Sequence, residues 1–292
     1  MAEILKEAKT KVIHRGERTI KETKEEQDEY IKTIDSVISF LQGKNPTLAL
    51  QIFQGDYLPE ASRFNQLEEM DWAFGTLGTQ DKAKHLATLY LEDLGDLISE
   101  AIDPYFGFSR YAERLGMSAS SYDTLHSKLQ EPVTIIDTLT IELLDGLIKK
   151  EHPTLICFSI PFPGNLYSAL RCGQFVKRNY PKIKIAMGGG YPNTELRSLS
   201  DPRVFEVLDF ISLDDGERPL RNIIEHLAGK KSIEQLKRTF CLVNQKVRYV
   251  NGSTDLDISF HKTGTPDYSD LLLNDYLSVI EVTNPMHRLW ND

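Results

Sequence analysis

The residues best suited to bind a ligand fall in three short segments, each with a glycine. Gly164, Gly190 and Gly216 are spaced 26 residues apart, and each comes just after a predicted strand. Parallel strands joined by helices bring their carboxyl ends to one edge of a sheet, where ligands bind. We therefore expect the three segments to form one ligand-binding edge. The alternative is that the glycines only make turns.

The glycine triplet Gly188–Gly190 is not a dinucleotide-binding loop. It departs from G-x-G-x-x-G, and Pro192 falls where a phosphate-binding helix would present its amides. The chain also lacks a Walker loop and a G-x-S-x-G elbow. What the triplet offers is backbone without side chains, which predicts that a flat, bulky ligand approaches there.

Carboxylates cluster in the third segment, at Asp214, Asp215 and Glu217. Such a cluster suits Mg²⁺ binding or acid–base chemistry. A second interpretation is that Asp214 or Asp215 caps the helix that starts near Glu217, with the acids at its positive end. Both interpretations stay open at this point.

Other metal chemistry is disfavoured by the spacing of the possible ligands. The seven histidines include no H-E-x-x-H motif, and the three cysteines include no C-x-x-C pair. Cys157 lies inside the apolar run 155–160, which predicts a strand covered on both faces with this cysteine in the core. The sparse, odd cysteine count suits a reducing compartment, so we expect a cytoplasmic protein.

Composition excludes several classes of partner. The 292 residues carry a formal net charge of −9, which argues against general binding to nucleic acid or to an anionic membrane. No apolar run approaches the length that crosses a bilayer, and the start of the chain lacks the apolar core of a secretory signal.

The predicted elements change in kind along the chain. Apolar positions at helical spacing dominate the first half, as in the repeat from Ala83 to Ala101. After His152, strands alternate with helices, and the last two strands form a hairpin. This pattern predicts the α/β class, with a Rossmann-like parallel sheet that follows an N-terminal helical region in the sequence. The predicted strands span 155–160, 183–187, 207–213, 240–243 and 247–250, and the helices 166–180, 194–199 and 217–228.

Three motifs carry a resemblance to a known family. Residues 157–165 read CFSIPFPGN, residues 188–191 read GGGY, and residues 213–220 read LDDGERPL. In order and spacing they resemble the cobalamin-binding-type domain that precedes the catalytic core of cobalamin-dependent radical S-adenosylmethionine enzymes. The likeness runs from Pro153 to Gly229, and residues 265–277 resemble the linker that leads to that core.

The resemblance implies a cofactor site and a division of the chain. The implied domains are a helical region at 1–130, a cobalamin-binding-type domain at 131–254 and a linker to the radical core at 255–292. Ser159 and Asn165 offer hydrogen bonds, and Phe162 or Tyr191 offers a flat apolar wall, unless these rings only pack. The implied cobalamin-binding residues are Ser159, Pro161, Phe162, Pro163, Gly164, Asn165, Gly188, Gly189, Gly190, Tyr191, Asp214, Asp215, Gly216 and Glu217.

The family's C-x-x-x-C-x-x-C signature, which holds its iron–sulfur cluster, is absent from the sequence. We therefore expect a fragment, inactive alone, of an enzyme for methyl transfer or related radical chemistry. Its partners would be a corrinoid or other small molecule and the C-terminal radical core, where S-adenosylmethionine and the cluster bind. The main alternative is a substrate-docking or protein-interaction module without cofactor. A flavodoxin-like nucleotide binder is a third hypothesis.

Overall fold

The structure is a computed structural model that describes residues 20–67, 78–108, 111–117 and 121–277. The chain divides into two compact units, one formed by Met1–Pro104 with Asp267–Asp292 and the other by Tyr105–Pro266. Sequence predictions that concern residues 1–19, 68–77, 109–110, 118–120 and 278–292 lie outside the described residues.

The first unit is helical, as the sequence predicts for this part of the chain. Helices α1 (Ile20–Leu41), α2 (Leu48–Gln54) and α3 (Thr79–Ala101) pack together through their apolar faces. The repeat predicted along α3 is confirmed, because side chains three and four residues apart are buried. These buried residues are Ala83, Leu86, Ala87, Tyr90, Leu94, Leu97 and Ile98.

The second unit alternates helices and strands and holds the candidate site. Its helices are α4 (Glu113–Met117), α5 (Asp123–Gln130), α6 (Ile135–Glu151), α7 (Leu166–Asn179), α8 (Gly190–Glu195) and α9 (Glu217–Leu227). Its strands are β1 (Leu155–Ser159), β2 (Lys184–Gly188), β3 (Phe210–Ser212), β4 (Thr239–Val243) and β5 (Lys246–Val250).

These strands form one five-stranded mixed sheet in the order β1-β2-β3-β4-β5. Strands β1, β2 and β3 are parallel, and β4 and β5 continue the sheet as an antiparallel hairpin. The predicted α/β class and the hairpin are confirmed. Two boundaries differ, since the third strand is shorter than predicted and the helix predicted at 194–199 begins directly at the glycine triplet, at Gly190.

The two faces of the sheet are covered unequally. On one face, Ile156 and Phe158 pack with helices α6 and α7 in the larger core. On the other face, α9 contributes Ile223 to a small cluster that includes Phe210 and Cys241 but not Cys157. Cys157 is exposed, so its predicted core position is wrong, although Leu155 of the same strand packs against the small cluster. The reason is that β1 lies at an edge of the sheet, where the small cluster reaches Leu155 but not Cys157.

No helix among the described residues is long and apolar enough to cross a membrane.

Candidate functional site

The three predicted segments follow neighbouring parallel strands and therefore lie at the same edge of the sheet. Ser159, the last residue of β1, is in register with Gly188, the last residue of β2, and β3 pairs with β2 in the same direction. The carboxyl ends of β1, β2 and β3 thus form one edge, as expected from the spacing of the glycines. We call this surface the carboxyl edge.

The segment after β1 presents the most exposed aromatic ring at the carboxyl edge. Phe162 is 67% exposed, whereas Ile160 and Gly164 are buried. Pro163–Asn165 form a 3₁₀ turn that leads into α7, so Pro163 fixes the start of the turn. Ser159 and Asn165 are both exposed, and their side chains have no hydrogen-bond partner among the described residues.

The glycine triplet lets the segment after β2 pack closely against the segment after β1. The Ile160 N–H donates to the Gly188 carbonyl at 2.7 Å, and the Tyr191 N–H donates to the Ile160 carbonyl at 2.9 Å. A Cβ on Gly189, whose φ is +110°, would lie within 2.7–2.9 Å of the Ile160 backbone, and one on Gly190 would lie 2.8 Å from the Pro161 carbonyl oxygen. The missing side chains therefore make room for the chain itself.

Tyr191 does not form a wall at this surface. Its ring is buried, and its hydroxyl donates to the Gly116 carbonyl at 3.1 Å. Burial raises the pKa of this phenol. Tyr191 is a packing aromatic, which was one of the two interpretations of this ring, and Phe162 is the ring that remains available at the carboxyl edge.

The segment after β3 is held by charged and polar side chains. Asp214 has a φ of +59°, its N–H donates to Asn193 Oδ1 at 2.5 Å, and its carboxylate pairs with Arg197. Its other oxygen lies 3.8 Å from Arg238 Nε, and Arg238 also donates to the Asp215 carbonyl at 3.1 Å. These contacts fix a left-handed turn that an aspartate tolerates better than most residues.

The prediction that Asp214 or Asp215 caps α9 is wrong. The residue at the N-cap is Gly216, and no side chain caps the helix. Asp214 does not cap the helix because its carboxylate pairs with Arg197 and Arg238 instead. No group of His, Cys, Asp or Glu among the described residues has the arrangement of a metal site, so the magnesium interpretation lacks a ligand set there.

Sequence reasoning missed the residues that hold this turn, namely Asn193, Arg197 and Arg238. Arg238 also binds Asp257 through two hydrogen bonds of 3.0 and 2.8 Å. These bonds, more than the nearby Lys237, lower the pKa of Asp257 to about 2. No local signal marks the arginines, because they come from segments 17 and 24 residues away from Asp214 in the sequence (Arg197 and Arg238).

Some residues of the carboxyl edge are available to a flat, mainly neutral ligand such as a corrinoid, and others are not. Phe162 and the unpaired side chains of Ser159 and Asn165 are available, and a Cβ on Gly216 would meet no atom within 4 Å. The space beside Gly189 and Gly190 is filled by the segment after β1. The residues available to such a ligand are therefore those after β1 and Gly216. The glycine triplet instead packs against the segment after β1.

The geometry defines a mixed α/β unit with an accessible edge at the ends of three parallel strands. No protein-family model, curated protein or solved structure matches the chain.

Proposed function

We propose that residues 105–266 form a Rossmann-like, cobalamin-binding-type unit that binds its ligand across the carboxyl edge. The observation that carries the proposal is the shared edge of three parallel strands, with Phe162 exposed on it and Gly216 open beside it. In α/β sheets of this kind, ligands bind in the crevice outside the carboxyl ends of the strands. The motif order at 157–220 supports a corrinoid as the ligand.

In this proposal the chain's own residues bind and orient the cofactor. Phe162 provides apolar surface, Ser159 and Asn165 donate or accept hydrogen bonds, and the turn held by Asp214 keeps Gly216 accessible. Cobalamin, when bound, supplies a cobalt that accepts and transfers methyl groups. The three cysteines lack the spacing of a cluster site. The proposal therefore assigns S-adenosylmethionine and the iron–sulfur cluster to a separate radical core, in an enzyme of methyl transfer or related radical chemistry.

The proposal is tested by corrin retention. The purified chain is mixed with hydroxocobalamin and desalted, and the visible spectrum of the protein fraction is recorded. Gly216→Trp places a large ring on the carboxyl edge at a position with φ −77° and free space, so the fold tolerates it. Gly146→Trp is the matched control, because Gly146 is an exposed glycine on α6 with equally free space.

We expect the parent chain and Gly146→Trp to keep corrin absorbance and Gly216→Trp to lose it. Gly189 is unsuitable for this test, since a side chain there would meet the Ile160 backbone and disturb the fold. Equal retention by both variants contradicts the assignment of the carboxyl edge.

One observation favours a second candidate, a substrate-docking or protein-interaction module without cofactor. The segment after β1 fills the space beside two of the three triplet glycines, which leaves less room for a large cofactor than the bare sequence suggests. A colourless parent chain at saturating hydroxocobalamin supports this second function and contradicts the first.

A further inference from the structure

A cavity of about 370 Å³ lies within the second unit, between α5, α7, α8 and the segment that follows α8. It shares only Tyr191 with the predicted cobalamin-binding residues. Its floor is apolar and consists of buried side chains from several elements, and its volume is that of a site for a small molecule. The floor residues are Leu125, Leu166, Leu170, Met187 and Val204.

The opening of the cavity is polar and carries acidic side chains. Ser198, Ser200 and Glu195 are exposed there, next to the half-buried Asp201. Asp201 is already paired, since it accepts hydrogen bonds from the Arg203 side chain at 2.6 and 3.0 Å. Glu195 differs, because no hydrogen bond or ion pair joins its carboxylate to another described residue.

The charged side chains at this opening favour a cationic ligand over a neutral or an anionic one. Among the described residues, the lining itself contains no lysine, arginine or histidine. Arg203 neutralises Asp201 from behind the lining, so Glu195 is the carboxylate that would repel an anionic ligand. A neutral apolar ligand would fill the floor but leave Glu195 without a partner. A cation at the opening would gain a charge-assisted hydrogen bond beside a low-dielectric floor.

We propose that this cavity binds a small organic ammonium compound. Its compact apolar body rests on Leu170 and Met187, and its protonated amine donates to the Glu195 carboxylate, with the Ser198 and Ser200 hydroxyls as further acceptors. This site is separate from the corrinoid proposal, and its test is carried out without any corrinoid, so either can fail alone.

The test compares three probes that share one apolar body and differ in charge. The full chain is titrated at pH 7 with 2-phenylethylamine, 2-phenylethanol and 3-phenylpropionate, and binding is followed by ligand-observed NMR. We expect the amine to bind about fivefold or more tightly than the alcohol, because a charge-assisted hydrogen bond is stronger than a neutral one. The carboxylate should bind most weakly.

Two variants and one control locate the site. Glu195→Gln should reduce the affinity for the amine to that for the alcohol and leave the alcohol unchanged, whereas Glu142→Gln, an exposed carboxylate on α6, should keep the preference. Ser198→Trp, at an exposed position of the opening, should weaken all three probes. Equal affinities for the three probes, an unchanged preference in Glu195→Gln, or no binding at millimolar concentration overturns the proposal.

Discussion

Arg171 and Asp137 form a buried ion pair, with Arg171 Nε 3.1 Å from Asp137 Oδ2 and both side chains at most 4% exposed. Tyr167 Oη donates to the same carboxylate oxygen at 3.0 Å, and Arg171 also donates to the Leu129 carbonyl at 2.9 Å, near the end of α5. Asp137 completes a capping box with Thr134 at the start of α6. The pair therefore connects α5, α6 and α7.

Replacing Asp137 with alanine should strongly destabilise the second unit. The change leaves the Arg171 charge buried without its counterion, a loss of about 3–5 kcal/mol for comparable pairs. It also removes the half of the capping box in which the Thr134 N–H donates to Asp137 Oδ2, whereas the bond from the backbone N–H of residue 137 to Thr134 stays. Urea unfolding followed by circular dichroism measures it. The control is Arg221→Gln, which removes an exposed pair with Glu225 and should change the free energy of unfolding by less than about 1 kcal/mol. Equal stability of both variants would contradict the structural role of the buried pair.

Two glycines of the carboxyl edge should respond in opposite ways to alanine. Gly189→Ala should lower the free energy of unfolding by about 2 kcal/mol or more, since the residue has a φ of +110° and its Cβ would press on the Ile160 backbone. Gly216→Ala should be neutral or stabilise by up to about 1 kcal/mol, because its φ of −77° suits alanine and the space is free. Thermal melts of the two variants test the contrast, and a stable Gly189→Ala refutes the packing account of the triplet.

Acid should weaken the second unit through two carboxylates. The pKa of Asp257 is lowered to about 2 by Arg238, and that of Asp255 is lowered to about 2 by Lys231 and Asn222. Both values lie below the ordinary pKa of about 3.9 for an unfolded aspartate. The stabilisation is therefore complete above about pH 4 and is lost as the pH falls toward about 2.

The free energy of unfolding, measured in urea at several pH values between 5 and 2, should fall with acid. Asp257→Asn should flatten this dependence, because it removes one of the two groups that titrate differently in the folded and unfolded states. Glu142→Gln is the control and should follow the parent curve. Superimposable curves for the parent chain and Asp257→Asn would refute the assignment.

Thiol labelling should separate Cys157 from the other two cysteines. Cys157 is exposed on the edge strand, whereas Cys172 and Cys241 are buried. Desolvation raises the pKa of all three thiols, that of Cys172 to about 11, so accessibility is what separates Cys157 from the other two. Ellman's reagent should therefore titrate one thiol in the native chain and three in denaturant. Cys157→Ser should abolish the native reaction. Three rapidly reacting thiols in the native chain would show that the buried assignments are wrong.

The sequence was most informative where local patterns decide the structure. The apolar runs, the helical repeat along α3 and the hairpin of β4 and β5 all depend on neighbouring residues, and the corresponding elements are present. Cys157 was misplaced because its burial depends on which strand forms the edge. That choice is set by strand order, which the residues around Cys157 do not contain.

Some features of the candidate site could likewise be predicted from local sequence patterns, and others could not. The position of the three segments at one edge follows from parallel strands, so the spacing of Gly164, Gly190 and Gly216 predicted it. The close packing of Gly189 on the Ile160 backbone and the partners of Asp214 depend on contacts with distant segments of the chain. Local sequence patterns do not predict such contacts. Whether a cofactor binds at the edge stays a prediction that corrin retention tests.

The two sides of the carboxyl edge respond differently to ionic strength. Ile160 and Gly188 are joined backbone to backbone, a contact between uncharged groups that added salt leaves unchanged. The turn at Asp214 depends in part on an exposed ion pair with Arg197, and added salt weakens exposed pairs of this kind. Rising salt concentration should therefore weaken the β3 side first. A ligand that contacts Gly216 should then bind less tightly, while the backbone contact between Ile160 and Gly188 stays unchanged.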